Sequence, residues 1–178
     1  MRACRAPWCD DPVSPSAGPT YLSRSPEGTA ALARALARHL RVGDLLGLVG
    51  PLGAGKTCFV AGLAAALGVK GRVASPSYII ARFHPGPRPL LHADAYRLTQ
   101  AEDILDAGLD EWLEQAVVAV EWADRVADAL PEDRVTVALV VEGEGRRIEV
   151  TARGGRGARV LEALQDEDTG HRDLEPAG

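Results

Sequence analysis

The 178-residue chain predicts an α/β fold of three layers, with a mostly parallel sheet that ends in antiparallel strands at its C-terminal edge. Three observations lead there. An apolar run ending Leu45 to Val49 passes through a glycine-rich loop into an Ala-rich helical segment, Thr57 to Leu67, which is half of a βαβ unit. A second continuous apolar run, Ala116 to Val120, has the composition of a strand buried on both faces. Two alternating runs, Val135 to Val141 and Arg147 to Thr151, flank Glu142-Gly143-Glu144-Gly145, the pattern of an antiparallel hairpin.

Taken in order, residues 1–21 are rich in proline, serine and charge without period, and read as a disordered extension or as a start placed too early. The folded domain is expected over 22–153. Ser25, Pro26 and Glu27 make a helix start, and Leu32, Leu36 and Leu40 form one apolar stripe with Arg34 and Arg38 turned away. Asp44 to Val49 is the first core strand, and Gly68 closes the helix after the glycine-rich loop. Ser75-Pro76-Ser77 runs into an alternating segment, Tyr78 to Phe83, and Pro85, Gly86 and Pro87 turn the chain toward a short strand from Leu90 that ends at His92-Ala93-Asp94. A polar helical stretch is expected over Gln100 to Gln115. Residues 154–178 read as a polar, partly disordered tail, with one or two helical turns around Val160 to Leu164.

The glycine-rich loop carries the chemistry. Gly50 to Thr57 reads Gly-Pro-Leu-Gly-Ala-Gly-Lys-Thr, a complete phosphate-binding loop between strand and helix, so the fold is a P-loop NTPase-like sandwich. A polyphosphate needs several backbone N–H groups at close range. Gly50 and Gly55 permit the required backbone, and Gly53 with Ala54 keeps bulk away. The helix start adds unpaired N–H groups and partial positive charge. Lys56 is the mobile cation for the outer phosphates, and Thr57 offers a hydroxyl to a magnesium ion. The chain has lysine only at Lys56 and Lys70, so a rare residue stands where an ammonium is wanted.

Composition narrows the classes further. A net charge of −5 argues against direct grip on a nucleic-acid backbone. There is no run near the ~20 apolar residues of a membrane span, and no apolar leader at the start, so a soluble, cytoplasmic protein is expected. Cys4, Cys9 and Cys58 make no disulfide framework. A helix start can lower the pKa of Cys58, but free cysteine is usually buried and inert, so it is read as a small apolar residue packed behind the loop.

Hydrolysis of a nucleoside triphosphate needs a carboxylate near the metal and a group that orients water, both at strand ends beside the loop. Asp94 and Glu121 stand at such ends. Tyr96 and Arg97 fit a structural bond as well as a ligand contact. Ser75 to Tyr78 has the hydroxyls of a γ-phosphate-sensing switch, with Ser77 as the contact, or is a simple proline turn.

Together, the motifs at 50–57, Ser-Pro-Ser-Tyr at 75–78, His-Ala-Asp-Ala-Tyr-Arg-Leu at 92–98 and Val-Glu-Trp at 120–122 resemble the TsaE (YjeE) family in order and spacing, from about Ser25 to about Ala152. The resemblance implies a small bacterial ATPase, slow alone and partner-dependent, that uses ATP and Mg2+ and supports threonylcarbamoyladenosine formation at position 37 of tRNA. It implies action on a TsaB-TsaD complex in which TsaD performs the transfer, with tRNA met only through that complex. By position, Lys56, Asp94 and Glu121 are catalytic; Thr57, Glu121 and Asp94 hold metal. The nucleotide meets Gly50, Pro51, Leu52, Gly53, Ala54, Gly55, Lys56, Thr57 and Cys58, with Ser77 in the switch and Glu27 and Thr29 near the base. Trp122 belongs to the signature and equally suits core packing. The chain departs from the common pattern at Pro51, often aspartate, at Cys58, often threonine, and at Ile79, often a second threonine, which removes one switch hydroxyl.

Two other enzyme classes use the same loop. A small-molecule kinase needs an acceptor pocket and an arginine-bearing lid, and Gln100 to Gln115 is acidic without arginine. A regulatory GTPase needs an Asn-Lys-x-Asp element, and the chain has no asparagine. A nucleotide-binding interaction module with negligible turnover is the remaining class.

Overall fold

The computed structural model describes residues 18–71, 73–76, 80–166 and 173–177. Strand β1 (Thr20–Ser23) leads into helix α1 (Pro26–His39), capped by Ser25, whose Oγ accepts from Gly28 N at 3.1 Å. Leu32, Leu36 and Leu40 are buried while Arg34 and Arg38 are exposed, as the stripe predicts. Strand β2 (Leu45–Val49) enters the loop and helix α2 (Lys56–Leu67), which ends on Gly68 at φ 83°. Strands β3 (Ala81–His84) and β4 (Leu90–Asp94) follow, then short helices α3 (Asp103–Asp106) and α4 (Leu109–Leu113). Strand β5 (Val117–Glu121) and a 3-10 segment, Ala123–Ala129, precede the hairpin of β6 (Arg134–Glu142) and β7 (Gly145–Arg153). Helix α5 (Gly154–Gln165) and strand β8 (Leu174–Pro176) complete the described chain.

The strands form one sheet in the order β3-β4-β5-β2-β6-β7-β1-β8. Its centre, β4-β5-β2-β6, is parallel. The hairpin makes the antiparallel flank, and β1 and β8 extend it, while β3 adds an antiparallel edge on the other side. Strand alternation divides two cores. Leu46, Leu48, Val117, Ala119, Val135 and Val137 lie in the cluster with α1, α2 and α5. Leu45, Val49, Val118 and Val120 lie with α3, α4 and the 3-10 segment. Both faces of the central strands are covered, which is why their sequences are continuous apolar runs.

Several boundaries differ from the sequence reading. Thr20 and Tyr21 belong to β1, with Tyr21 buried, so the extension overlaps the sheet; residues 1–17 lie outside the described residues. The expected helix over 100–115 is two short ones, because Gly108 takes φ 82° and breaks the hydrogen-bond ladder. The segment from 154 is a 12-residue helix rather than one or two turns. Its Val160, Leu161 and Leu164 enter the core, and Arg159 donates to Asp44 Oδ2 at 2.8 Å.

Candidate functional site

The loop leaves β2 at Gly50, whose φ of 140° and whose closeness to Leu139 exclude a side chain: a Cβ there would stand 2.2 Å from the Leu139 carbonyl oxygen. Gly55 caps α2 at φ 106°. Lys56 follows, only 5% exposed. Its Nζ donates to the carbonyls of Gly50 at 2.6 Å and Pro51 at 3.0 Å, and lies 3.6 Å from the centroid of the Trp122 ring. Among the described residues no carboxylate forms an ion pair with it. Burial pushes its pKa below the ordinary lysine range, opposed by the charges of Glu121, Asp124 and Asp94.

Trp122 reaches that position through an unusual backbone. Its φ is 58°, the one positive value outside glycine among the described residues. Such a conformation costs about 1–2 kcal/mol for a residue with a Cβ. The turn sends the ring from the end of β5 back over Lys56, where it packs against Tyr96 with centroids 4.9 Å apart.

The two acids stand side by side, because β4 and β5 are parallel with Asp94 in register with Glu121. Both are buried, with 8% and 3% exposure. Thr57 Oγ1 lies 2.9 and 3.0 Å from the two Glu121 oxygens, and His92 Nε2 lies 2.8 Å from Oε1. Asp94 Oδ1 accepts from Tyr96 N at 2.9 Å, and Oδ2 accepts from Ser75 Oγ. Thus Ser75 is the hydroxyl of the 75–78 segment seen at the acids; Ser77 lies outside the described residues.

An open cleft of about 460 Å³ lies over this group, lined by the loop from Leu52 to Cys58 and by Ser75, Asp94, Tyr96, Glu121 and Trp122. A second cleft, about 290 Å³, lies on the other side of Gly55 and Cys58, against Ser23, Ser25, Thr29 and Arg146. Thr29 is therefore at a cleft wall, with its hydroxyl 2.8 Å from Ser23 Oγ. Glu27 is not part of that lining; it acts on Cys58, whose thiol is pushed up by burial first and by the Glu27 charge second. The helix start does not make Cys58 a thiolate, and its Sγ faces the Pro26 carbonyl at 3.5 Å.

Arg146, from β7, was not singled out by the sequence. Its Nε donates to Ala54 O at 3.0 Å and its Nη2 to Gly53 O at 3.2 Å. Turning the Ala54 carbonyl outward turns the Gly55 N–H the opposite way, because the peptide is planar and trans. No local pattern marks this residue, which is 92 positions from Ala54.

A parallel-centred sheet with a glycine loop at the tip of β2 and acids at the neighbouring tips defines a three-layer α/β protein with a P-loop-like fold. Residues 23–148 match the family described as "Threonylcarbamoyl adenosine biosynthesis protein TsaE", and the chain belongs to that family. It is 44% identical over 137 residues to the tRNA threonylcarbamoyladenosine biosynthesis protein TsaE of Streptomyces coelicolor, spanning 71% of this chain and 92% of the relative. The protein of the same name from Bacillus subtilis is 40% identical over 147 residues, spanning 81% and 92%. The crystal structure of Bacillus subtilis YdiB superposes with a TM-score of 0.71 at 35% identity, covering 82% of this chain and 93% of that one. Among the described residues no helix is long and apolar enough to cross a membrane.

Proposed function

We propose that the chain binds ATP with Mg2+ in the cleft over the loop and hydrolyses it in support of threonylcarbamoyladenosine formation on tRNA, acting in the cytoplasm on a TsaB-TsaD assembly. The observation that carries this reading is Lys56: a buried cation held by two carbonyls and an indole face, with no acid among the described residues paired to it. A buried charge left without an opposite charge is costly unless a ligand provides one. Phosphate does so.

The residues fit both groups. The larger cleft has the volume of a small-molecule site, and the smaller one adjoins it where a base would extend. Thr57, Glu121 and Asp94 offer hard oxygen donors, and Mg2+ bound with nucleotide takes one or two carboxylates and fills its shell with phosphate oxygens and water. Among the described residues there is no cluster of three or more His, Cys, Asp and Glu that would cage a metal alone, which agrees with a metal shared with phosphate.

Bound magnesium neutralises charge on the outer phosphates. Lys56 exchanges its carbonyl partners for phosphate oxygens, and the Gly55 amide, aimed inward by Arg146, donates to them. Glu121 and Thr57 hold the metal side. Asp94, at the adjacent strand end, orients the attacking water or accepts its proton.

The test is reconstitution of tRNA modification with this component omitted or restored, beside calorimetry with Mg-ATP. Glu121→Ala retains nucleotide but does not turn it over; Lys56→Ala weakens binding itself. If both variants support modification as the parent does, the roles are wrong. A phosphorylated metabolite formed from labelled ATP would replace this reading with a kinase.

A further inference from the structure

His92 is fully buried on a central strand, where an aliphatic residue would pack without polar cost. Period-two alternation places it on the same face as Asp94, and it pairs in register with Ala119, two residues before Glu121. Its Nε2 stands 2.8 Å from Glu121 Oε1, and among the described residues its Nδ1 has no partner. A carboxylate oxygen can only accept, so the ring nitrogen that faces it must carry the hydrogen. On Nδ1 the proton would be stranded and a lone pair would face the carboxylate; on Nε2 it makes a charge-assisted bond. A proton therefore belongs on Nε2, where it serves Glu121.

We propose that His92 is a positioning residue for the metal-binding carboxylate: its Nε2–H holds Glu121 against the Thr57 hydroxyl, so that both oxygen donors meet the metal as one prearranged pair. The inference rests on the Mg-ATP reading given above. Without His92 the carboxylate keeps only the Thr57 contact, and its Oε1 loses the bond that fixes its rotation. Hydrogen bonds to ligating carboxylates of this kind are worth about 10–100-fold in metal affinity.

The experiment uses the full chain and three variants, His92→Gln, His92→Asn and His92→Phe. A glutamine amide reaches near the Nε2 position, whereas an asparagine amide reaches only near Nδ1. ATP binding is measured by calorimetry in EDTA and then across a magnesium titration, with thermal melts alongside. Metal-free ATP affinity stays the same, because Lys56 and the loop amides carry it. The magnesium concentration for half-maximal tightening rises about 10–100-fold in the Asn and Phe variants. The Gln variant stays near the parent. If Gln and Asn shift equally, or neither shifts, the proposal is overturned. If the Phe variant does not fold, the Gln and Asn pair, alike in polarity and different only in reach, still decides. A parent that binds no ATP with magnesium overturns the nucleotide reading and this inference together; normal parent binding with unmoved variants overturns this inference alone.

Discussion

Replacing Arg146 by methionine keeps most of the side-chain stem and removes every donor, which isolates what its bonds to the loop contribute. The Nε bond to Ala54 O is half-buried and charged, a type worth about 1.5–3 kcal/mol. The Nη2 bond to Gly53 O is exposed and longer, so it adds a few tenths of a kcal/mol at most, roughly as a surface pair does. The bond to Gly145 O holds the arginine on its own strand rather than the loop. If the two loop bonds keep the Gly55 amide aimed inward, their loss appears in nucleotide affinity, as about 10-fold or more at 1.4 kcal/mol per decade. Calorimetry with Mg-ATP reads this directly, and denaturant unfolding of the same variant shows how much of the effect belongs to the fold instead. An affinity within twofold of the parent would refute the idea that Arg146 sets the loop.

Three further outcomes are expected. Lys56→Met weakens ATP binding by about 1.5–3 kcal/mol yet leaves the denaturant midpoint unchanged or higher, because it removes a desolvated charge; a large loss of stability would show that the lysine is structural. Leu164→Ala, at a fully buried position of α5, costs about 2–5 kcal/mol by urea unfolding, whereas a frayed tail would give almost nothing. His84 is held below the ordinary histidine range by burial first, then by His92 and Arg82. The unfolded chain takes up its proton as pH falls through about 6.5 while the folded chain resists, so stability is lost below that pH; His84→Leu flattens the loss, measured as urea midpoints between pH 7.5 and 5.

The parts of the fold that were legible in the sequence are those whose causes are local. The β2-loop-α2 unit shows itself because a phosphate cradle needs glycines at fixed offsets, and the central strands show themselves because burial on both faces demands unbroken apolar runs. The position of Glu121 was legible because it ends such a run, and that of Asp94 because it ends a short strand between turn residues. The remainder depends on partners distant in the chain. Helix α5 begins Gly-Gly-Arg-Gly, which reads as loop; its first turn is satisfied by Asp133, whose Oδ1 accepts from Arg156 N at 2.9 Å and Gly157 N at 3.0 Å. Strands β1 and β8 are four and three residues long, too short for periodicity to register. Arg146 is one of many arginines until the sheet brings β7 beside the loop, and the left-handed turn of Trp122 has no signal in its residue type.

The site also keeps its opposite charges apart, and that separation has a chemical consequence. Lys56 is satisfied by neutral groups, two carbonyls and a ring. Glu121 and Asp94 are likewise satisfied without the lysine: a threonine hydroxyl and a histidine N–H on one, a serine hydroxyl and a backbone N–H on the other. Had the lysine paired with Glu121, the arrival of phosphate and metal would first have to break a buried ion pair, a step that costs several kcal/mol when it leaves either charge alone. With the lysine and the acids held by separate partners, neither has to leave the other when phosphate and metal arrive. On the proposed reading, phosphate is gained by the lysine and metal by the acids in the same event, so nucleotide and magnesium should bind cooperatively: ATP affinity in EDTA should fall well below that in magnesium, and Glu121→Gln should erase most of the difference while Lys56→Met should not. Equal loss of the magnesium effect in both variants would mean that the two halves of the site are not separately prepared.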